Sequence, residues 1–166
     1  HKMKMKKKTK KTITRDSATK GLSEKGFADA TITEIAQRAC LTICGIYSYF
    51  KNKEDLLVTI IESFLIKSAS GLNEHLQGIQ GANNKLRKAI WFHCKSYSGN
   101  KNEIKIVLDS RSYPGFYKST AYTALKQYAG IMTDIINEGI LACTFSRAYS
   151  TAIIRDMIRG TVQHIA

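Results

Sequence analysis

Proline is almost absent from this sequence, which has one proline, Pro114, among 166 residues. Because proline interrupts helices, nearly the whole chain is free to be helical. Long apolar runs are also absent: none approaches the roughly 20 residues that a membrane-spanning helix needs. The N-terminus lacks the apolar middle section of a signal peptide as well. We therefore expect a mostly helical, cytoplasmic protein that does not associate with membranes.

Groups that bind metals or catalyse reactions are scarce. Four cysteines in a chain without an export signal are expected to be reduced thiols. Cys40 and Cys44 lack the second Cys/His pair of a zinc site. The acidic residues of the range 62–156 are scattered singly, and we find no nucleophile–base set and no Gly-rich phosphate loop. We predict no metal, no cofactor and no catalytic residues, so an enzyme is the least favoured function.

The charge is strongly positive, with a formal net charge of +13. Residues 1–53 contain 13 basic and 4 acidic side chains, whereas residues 54–166 contain 13 and 9. Seven lysines and no acidic residue lie in residues 1–11, which are expected to be disordered. They form either an arm that contacts DNA phosphates or a solubilising tail. The concentration of basic charge in the first third of the chain predicts a polyanionic partner.

The stretch Thr31–Phe50 has the pattern of two short helices joined by a tight turn. Thr31 and Glu34 match the S/T-x-x-E capping box that marks a helix start, and apolar residues follow at helical spacing. Residues 40–42 break this period, and Thr42 is a good N-cap for a second helix that reaches about Phe50. Two short helices with an exposed polar edge are typical of helix-turn-helix proteins that bind DNA.

Apolar residues at helical spacing predict an all-α fold for the remaining chain as well. The predicted helices run from about Thr12 to Lys25, from Lys53 through Leu65, from Lys85 to Tyr97, from Glu103 to Ser110, from about Phe116 to Ala142, and over residues 151–166. Glycines in the polar stretch 71–84 predict a bend or a loop. The segment 103–110 alternates enough to be a strand, but its helical neighbours favour a short helix.

Three segments with fixed spacing identify a family resemblance. Gly26-Phe27, Thr31–Ala36 and Ile46–Leu57 (IYSYFKNKEDLL) closely resemble the N-terminal domain of the TetR family of bacterial transcriptional repressors. The resemblance covers roughly residues 13–61. It implies a basic arm over residues 1–11, a helix-turn-helix domain over residues 12–53, and a helical domain for ligand binding and dimerisation over residues 54–166. The family normally has one more helix beyond the position of Ala166, so we expect either that this helix is truncated here or that the dimer interface is built differently.

The predicted DNA-contacting residues are Thr31, Thr33, Thr42, Ile43, Cys44, Gly45, Tyr47, Tyr49 and Lys53. Three of them, at positions 42–44, begin the second helix, where helix-turn-helix proteins reach base edges. The two tyrosines, the threonines at 31 and 33 and the lysine are implied by the family resemblance. The alternatives are that Thr31 is only a helix cap, that Tyr49 is only a core residue and that Lys53 is only solvated.

Several positions depart from the family pattern. The family usually has glycine where Cys40 and Cys44 stand, and a polar or small residue where Gly45 stands. Cys40 therefore requires either a left-handed backbone or a shifted turn. Gly45 is expected to add flexibility to the second helix, and Gly21 to loosen the first one.

The family resemblance implies a pocket for a small apolar or amphipathic effector in the C-terminal part, where aromatic, methionine and polar side chains recur. The alternative for any single aromatic position is an ordinary core residue. The candidate residues are Phe64, Trp91, His93, Tyr97, Arg111, Tyr122, Tyr128, Met132 and Met157. Residues 137–145 and 154–165 resemble the subset of the family that responds to fatty acyl-CoA or similar lipids. The hypothesis is a homodimeric, ligand-responsive repressor that binds a pseudo-palindromic operator in double-stranded DNA. The alternatives are an architectural DNA-binding protein without ligand control or, least favoured, an enzyme that uses the aromatic pocket.

Overall fold

A computed structural model describes the backbone of residues 2–165 and the side chains of residues 10–161. Its helices are α1 (Lys2–Asp29), α2 (Ile32–Arg38), α3 (Ile43–Tyr47), α4 (Lys53–Leu76), α5 (Ala82–Gly99), α6 (Lys101–Asp109), α7 (Thr120–Leu141) and α8 (Thr151–Ile165). Two short 3-10 turns, Ser110–Ser112 and Phe116–Lys118, lie between α6 and α7. No strand occurs between residues 2 and 165, so the predicted all-α fold class is confirmed.

Helix α1 begins at Lys2, whereas the sequence predicts a disordered arm up to residue 11 and a helix from about Thr12. Lysine and methionine are good helix formers, and no glycine or proline interrupts this segment before Gly21. Ile13 is 44% exposed. Thr14 is buried instead, and its hydroxyl donates a hydrogen bond to the Lys10 carbonyl at 2.9 Å.

The helix-turn-helix forms as predicted, with a cap at the start of each helix. Thr31 and Glu34 make both hydrogen bonds of the capping box at the start of α2. The Thr42 hydroxyl accepts a hydrogen bond from the Gly45 amide at the start of α3. Between the helices Cys40 has a φ of 52°. Of the two conformations that the sequence left open there, the left-handed backbone is the observed one.

The predicted loop over residues 71–84 is wrong, because α4 continues to Leu76 and α5 already begins at Ala82. Gly71 lies within α4 at a close approach to α5, where an added Cβ would stand 3.3 Å from Phe92 Cζ. Leu72 beside it is buried. Gly71 therefore permits helix packing rather than ending the helix, and the connection shrinks to residues 77–81.

The segment before α7 also differs from the prediction. The long helix begins at Thr120 rather than at Phe116, since residues 116–118 form a 3-10 turn soon after Pro114. The segment 103–110 is helical over most of its length, within α6, and not a strand. Ser150 precedes α8 and caps it, since its hydroxyl accepts a hydrogen bond from the Ile153 amide at 3.4 Å.

The chain forms two compact units: His1–Ser63 with Asn102–Tyr122, and Phe64–Lys101 with Thr123–Ala166. The core of the first unit includes Leu22, Ile35, Ile46, Phe50, Leu57, Ile61, Ile106 and Phe116. The core of the second includes Leu72, Ala89, Met132, Ile135 and Ile136. Each unit thus has its own apolar centre. The first unit contains both the helix-turn-helix and most of α6, although α5 lies between them in the sequence.

The end of α7 is closed by a tight contact between Gly139 and Phe145. The Gly139 carbonyl accepts hydrogen bonds from the amides of Thr144 and Phe145 at 2.8 and 3.0 Å, and the Phe145 ring lies directly against the glycine. A Cβ added to Gly139 would stand 2.1 Å from Phe145 Cδ2. This end of α7 has no room for a side chain.

We expect Gly139→Ala to lower the free energy of unfolding by about 1–3 kcal/mol, because the Phe145 ring must move away. Urea denaturation followed by circular dichroism measures the change. Gly130→Ala is the matched control in the same helix, since nothing lies within 4 Å of its added Cβ. It should stabilise the helix slightly. Equal effects of the two substitutions would contradict this account.

Candidate DNA-binding surface and ligand groove

Helix α3 presents its first turn to solvent. Thr42, Ile43, Cys44 and Tyr47 are exposed, with Ile43 at 41% and Tyr47 at 50%, whereas Ile46 on the opposite side is fully buried. One buried isoleucine thus anchors the helix and leaves its leading edge free. The helix ends at Tyr47 rather than near Phe50, and Phe50 is buried.

Gly45 lies in the hydrogen-bonded turn that starts α3. Its amide donates to Thr42 Oγ1 at 3.0 Å, and its carbonyl accepts from the Ser48 hydroxyl at 2.7 Å. An added Cβ would lie 3.1 Å from Thr42 Oγ1, so a larger residue would crowd the cap. The flexibility expected from this glycine stays a prediction.

The predicted contact residues outside α3 take different positions. The Thr31 hydroxyl accepts from the Glu34 amide at 3.2 Å, so it serves the α2 cap. Thr33 is exposed in the first turn of α2, and Tyr49 is half-buried after α3. Contact of these three residues with DNA stays a prediction.

Ion pairs join α1 to α2 in this unit. Arg38 pairs with Glu24 at 2.7 Å, and Lys25 pairs with Glu34. The hydrogen bond from Lys25 lowers the pKa of the Glu34 carboxyl, and that from Arg38 lowers the pKa of Glu24. Both carboxylates are therefore ionised, and the negative charge of each is balanced by its basic partner.

Lys53, at the start of α4, is held by backbone oxygens at the end of α1 and just before α2. Its ammonium group donates to the carbonyls of Ala28 and Ala30 at 3.2 and 2.8 Å. It also lies 4.5 Å from the centre of the Phe27 ring. The sequence analysis predicted either phosphate binding or simple solvation for this lysine. Its hydrogen bonds to the backbone were not predicted, because the partners lie more than twenty residues away in the sequence. With two carbonyl acceptors, the ammonium keeps one N–H for a further partner.

The second unit contains a groove between α4 and α5 with a volume of about 340 Å³, within the range of small-molecule sites. Its lining residues are Phe64, Lys67, Ser68, Gly71, His75, Phe92, Lys95, Ser96, Gly99 and Asn100. None of them is acidic, and Lys67 and Lys95 are exposed. The groove therefore combines an aromatic interior with a basic edge.

Among the predicted effector residues, Phe64 lines this groove and Trp91 is 44% exposed on α5. His93, Tyr97 and Tyr128 lie together elsewhere in the unit: the His93 ring centre is 6.3 Å from that of Tyr97 and 5.3 Å from that of Tyr128. The remaining predicted residues are Met132, which is buried, Met157, which is exposed, and Arg111 and Tyr122, which belong to the first unit.

His93 and Tyr128 form a stacked, neutral pair. Burial, with a smaller contribution from Arg159, lowers the pKa of His93, and burial raises the pKa of Tyr128. The tyrosine is therefore protonated, and its hydroxyl is hydrogen-bonded to His93 Nδ1 at 2.8 Å. The rings are tilted by only 6°. This arrangement fixes both side chains within the unit.

Sequence reasoning missed most of the groove. Gly71 and His75 fall in the stretch that was predicted to be a loop, and Lys67 and Lys95 look like ordinary surface lysines in the sequence. If the helical spacing of the α4 residues had been continued past Gly71 to Leu72 and His75, the sequence would have predicted the α4 side of the groove. Among the described residues, no group of three or more His, Cys, Asp and Glu is placed to hold a metal ion. No helix of residues 2–165 is both long and apolar enough to cross a membrane.

A helix-turn-helix on one unit and a ligand-sized groove on the other define the class of ligand-responsive DNA-binding proteins. Comparison with known proteins agrees. A family model described as bacterial regulatory proteins, tetR family, matches residues 15–60. A second, described as YsiA-like protein, C-terminal region, matches residues 62–166. The chain belongs to the tetR family of bacterial regulatory proteins, and it is a transcriptional regulator rather than an enzyme.

Similar proteins include regulators of fatty acid metabolism. The chain is 28% identical over 148 residues to the fatty acid metabolism regulator protein of Bacillus subtilis (strain 168), covering 89% of this chain and 76% of that protein. The crystal structure of Bacillus subtilis FadR with stearoyl-CoA has a TM-score of 0.81 at 26% identity and covers 92% of this chain and 83% of that one. AibR in complex with isovaleryl coenzyme A and operator DNA shares the fold, with a TM-score of 0.80 at 18% identity over 92% of this chain and 83% of that one.

We expect Lys53→Ala to lower the free energy of unfolding by about 1 kcal/mol, because two carbonyls lose their donor and Phe27 loses its cation contact. Thermal denaturation measures this change. Lys51→Ala, at an exposed position two residues earlier, should change stability by less than about 0.5 kcal/mol. Equal stability of the two variants would contradict the role of Lys53 in holding the backbone.

The salt dependence of DNA binding separates this role from a phosphate contact. If Lys53 only holds the backbone, Lys53→Ala binds DNA more weakly with an unchanged slope of log affinity against log salt. Loss of a phosphate contact should reduce that slope by about 1.

The lowered pKa of His93 predicts how stability depends on pH. Above pH 6.5, the ordinary pKa of histidine, the ring is neutral in both folded and unfolded chains and the pair contributes no pH dependence. Below it, the unfolded chain takes up the proton first, so the free energy of unfolding falls until the lower folded-state pKa is reached. Urea denaturation between pH 7 and pH 5 should show a shallower decline for His93→Gln than for the unsubstituted protein. Parallel declines would show that another group titrates.

Proposed function

We propose that this protein is a cytoplasmic, homodimeric repressor that binds a pseudo-palindromic DNA operator and releases it when its second unit binds a fatty acyl-CoA. The observation that carries the proposal is the exposed first turn of α3, held by the Thr42–Gly45 hydrogen bond and anchored by Ile46. Recognition helices of helix-turn-helix proteins enter the major groove with their N-terminal residues, and dimers place two of them about 34–36 Å apart.

The chemistry of the α3 surface supports DNA reading at this edge. Ile43 can pack against a thymine methyl group, and the hydroxyls of Thr42 and Tyr47 can donate to a base or a phosphate. The segment that contains α3 carries most of the net positive charge: residues 1–53 hold 13 basic against 4 acidic side chains. Two of those four carboxylates, Glu24 and Glu34, form ion pairs with basic side chains of the protein. Few unpaired acidic groups therefore repel a phosphate backbone.

Exposed apolar side chains at the end of the chain support the homodimer. Leu141 is 77% exposed, Met157 66% and Ile153 52%. Large apolar groups exposed together commonly mark protein–protein contacts. A second copy of the chain, packed against α8 and the end of α7, would cover them. The domain that we propose for dimerisation and ligand binding is therefore the helical region after residue 53.

Two observations favour an acyl-CoA effector over a regulator without ligand control. The α4–α5 groove offers an aromatic interior of about 340 Å³ with lysines at its edge, which suits an apolar chain that ends in an anionic group. A relative with 26% identity was crystallised with stearoyl-CoA. An architectural DNA-binding protein would need neither the groove nor its basic edge. The effector releases DNA to the extent that it binds better to the conformation that does not fit the operator.

Selection of bound sequences from a random DNA pool, with and without stearoyl-CoA, tests this proposal. We expect a palindromic site with half-sites about 10 base pairs apart or a multiple of it, and loss of recovery when stearoyl-CoA is present. Stearate and coenzyme A added separately are the ligand controls. Recovery of no palindrome, or recovery that stearoyl-CoA leaves unchanged, would contradict the proposal.

Tyr47→Ala should weaken binding to the selected operator by about tenfold, the effect of one good base or phosphate contact. Electrophoretic mobility shift measures the affinity. Tyr117→Ala is the matched control, because Tyr117 is equally exposed, at 53%, and lies in the same unit but outside the helix-turn-helix. If both variants bind like the unsubstituted protein, Tyr47 does not contact DNA.

A further inference from the structure

Trp91, the single tryptophan of the chain, is set among cations on α5. Its ring is 44% exposed. Lys88 Nζ lies 4.1 Å and Lys95 Nζ 4.9 Å from the ring centre, and the His75 ring centre is 5.7 Å away. A large aromatic surface is thus kept in contact with solvent and surrounded by positive charge.

This cluster is continuous with the α4–α5 groove. His75 and Lys95, which contact Trp91, also line the groove, and Lys67 adds a third ammonium group at its edge. The His75 ring lies between Trp91 and the groove residue Phe92, with ring centres 5.7 and 5.2 Å away. An indole ring, three lysines and an aromatic groove therefore form one surface, and none of the groove-lining residues is acidic.

The combination fits a nucleotide better than a simple fatty carboxylate. A carboxylate needs one cation and makes no use of an exposed indole. A nucleobase stacks on an aromatic face, and lysine is a common partner of phosphate. Contacts between lysine and an exposed aromatic ring are weak, so a base can replace the ammonium groups on the ring while they turn to the phosphates.

We propose that Trp91, Lys88 and Lys95 bind the adenosine 3′,5′-bisphosphate part of the effector, and that the acyl part enters the groove between Phe64 and Phe92. This rests on the proposed acyl-CoA response and names the residues that would distinguish a coenzyme A thioester from a free fatty acid. Lys67 neutralises the remaining phosphate charge at the edge of the groove.

Tryptophan fluorescence tests the proposal directly, because the signal comes from Trp91 alone. Adenosine 3′,5′-bisphosphate, which has no acyl chain, should quench the fluorescence in a saturable way and should compete with stearoyl-CoA. Stearoyl-pantetheine, which lacks the nucleotide, should bind more weakly than stearoyl-CoA by about five- to 100-fold, the factor that stacking of one base contributes. No quenching by the bisphosphate at millimolar concentration would overturn the proposal.

Variants separate stacking from charge when affinity is measured by calorimetry. Trp91→Ala should weaken stearoyl-CoA binding by about tenfold and leave stearoyl-pantetheine binding unchanged, whereas Trp91→Phe should retain most of the affinity. Lys88→Ala with Lys95→Ala should weaken stearoyl-CoA binding more at low salt than at high salt. Lys118→Ala, at an exposed position of the first unit, is the control and should bind like the unsubstituted protein.

Failure of this proposal is distinguishable from failure of the proposed function. If stearoyl-CoA releases the operator equally well from Trp91→Ala and from the unsubstituted protein, the regulator stands and the nucleotide site is wrong. If stearoyl-CoA never releases the operator while the bisphosphate still quenches Trp91, the nucleotide site stands and the effector response is wrong.

Discussion

The contact between Lys53 and the carbonyls of Ala28 and Ala30 is the constraint on which the DNA-binding surface depends. These residues border the segment 31–52, which contains α2, the turn and α3, so the contact closes that segment on itself. Closing a loop of this length costs conformational entropy, and a charged donor shared between two carbonyls offsets part of it. Within the closed segment, the α3 helix has only five residues. A helix that short is not stable alone. Its orientation is therefore set by the buried Ile46 and by the contact of Lys53, which joins the two ends of the segment 31–52.

Local signals predicted the beginnings of α2, α3 and α4. Thr31, Thr42 and Asn52 each accept a hydrogen bond from an amide three residues later, and such caps involve neighbours in sequence. The role of Lys53 could not be predicted in the same way, because its partners lie far away in the chain. The crowding at Gly45 could not be predicted in this way either, because it depends on how closely the position approaches the Thr42 side chain.

In the second unit, packing overrode local propensity. Gly71 reads as a helix breaker, yet its missing side chain admits the Phe92 ring and α4 continues. Consecutive residues of α5 then serve different surroundings, since neighbours on a helix point about 100° apart. Phe92 lines the groove, whereas His93 stacks with Tyr128 in the interior. The sequence could identify aromatic residues as candidates for the pocket. Which of them face the groove and which face the interior depends on how α5 is rotated relative to α4 and α7, and a single sequence does not contain this information.

The pairing of Glu24 with Arg38 and of Glu34 with Lys25 has a consequence for how the protein finds its site. Because these acidic groups already form ion pairs with basic side chains of the protein, the other lysines of the first unit can interact with the phosphates of any DNA duplex. Attraction to the phosphate backbone is independent of sequence and lets a protein slide and hop along DNA. The search for the operator is therefore expected to be partly one-dimensional, and its duration will depend on how much non-specific DNA and salt surround the target.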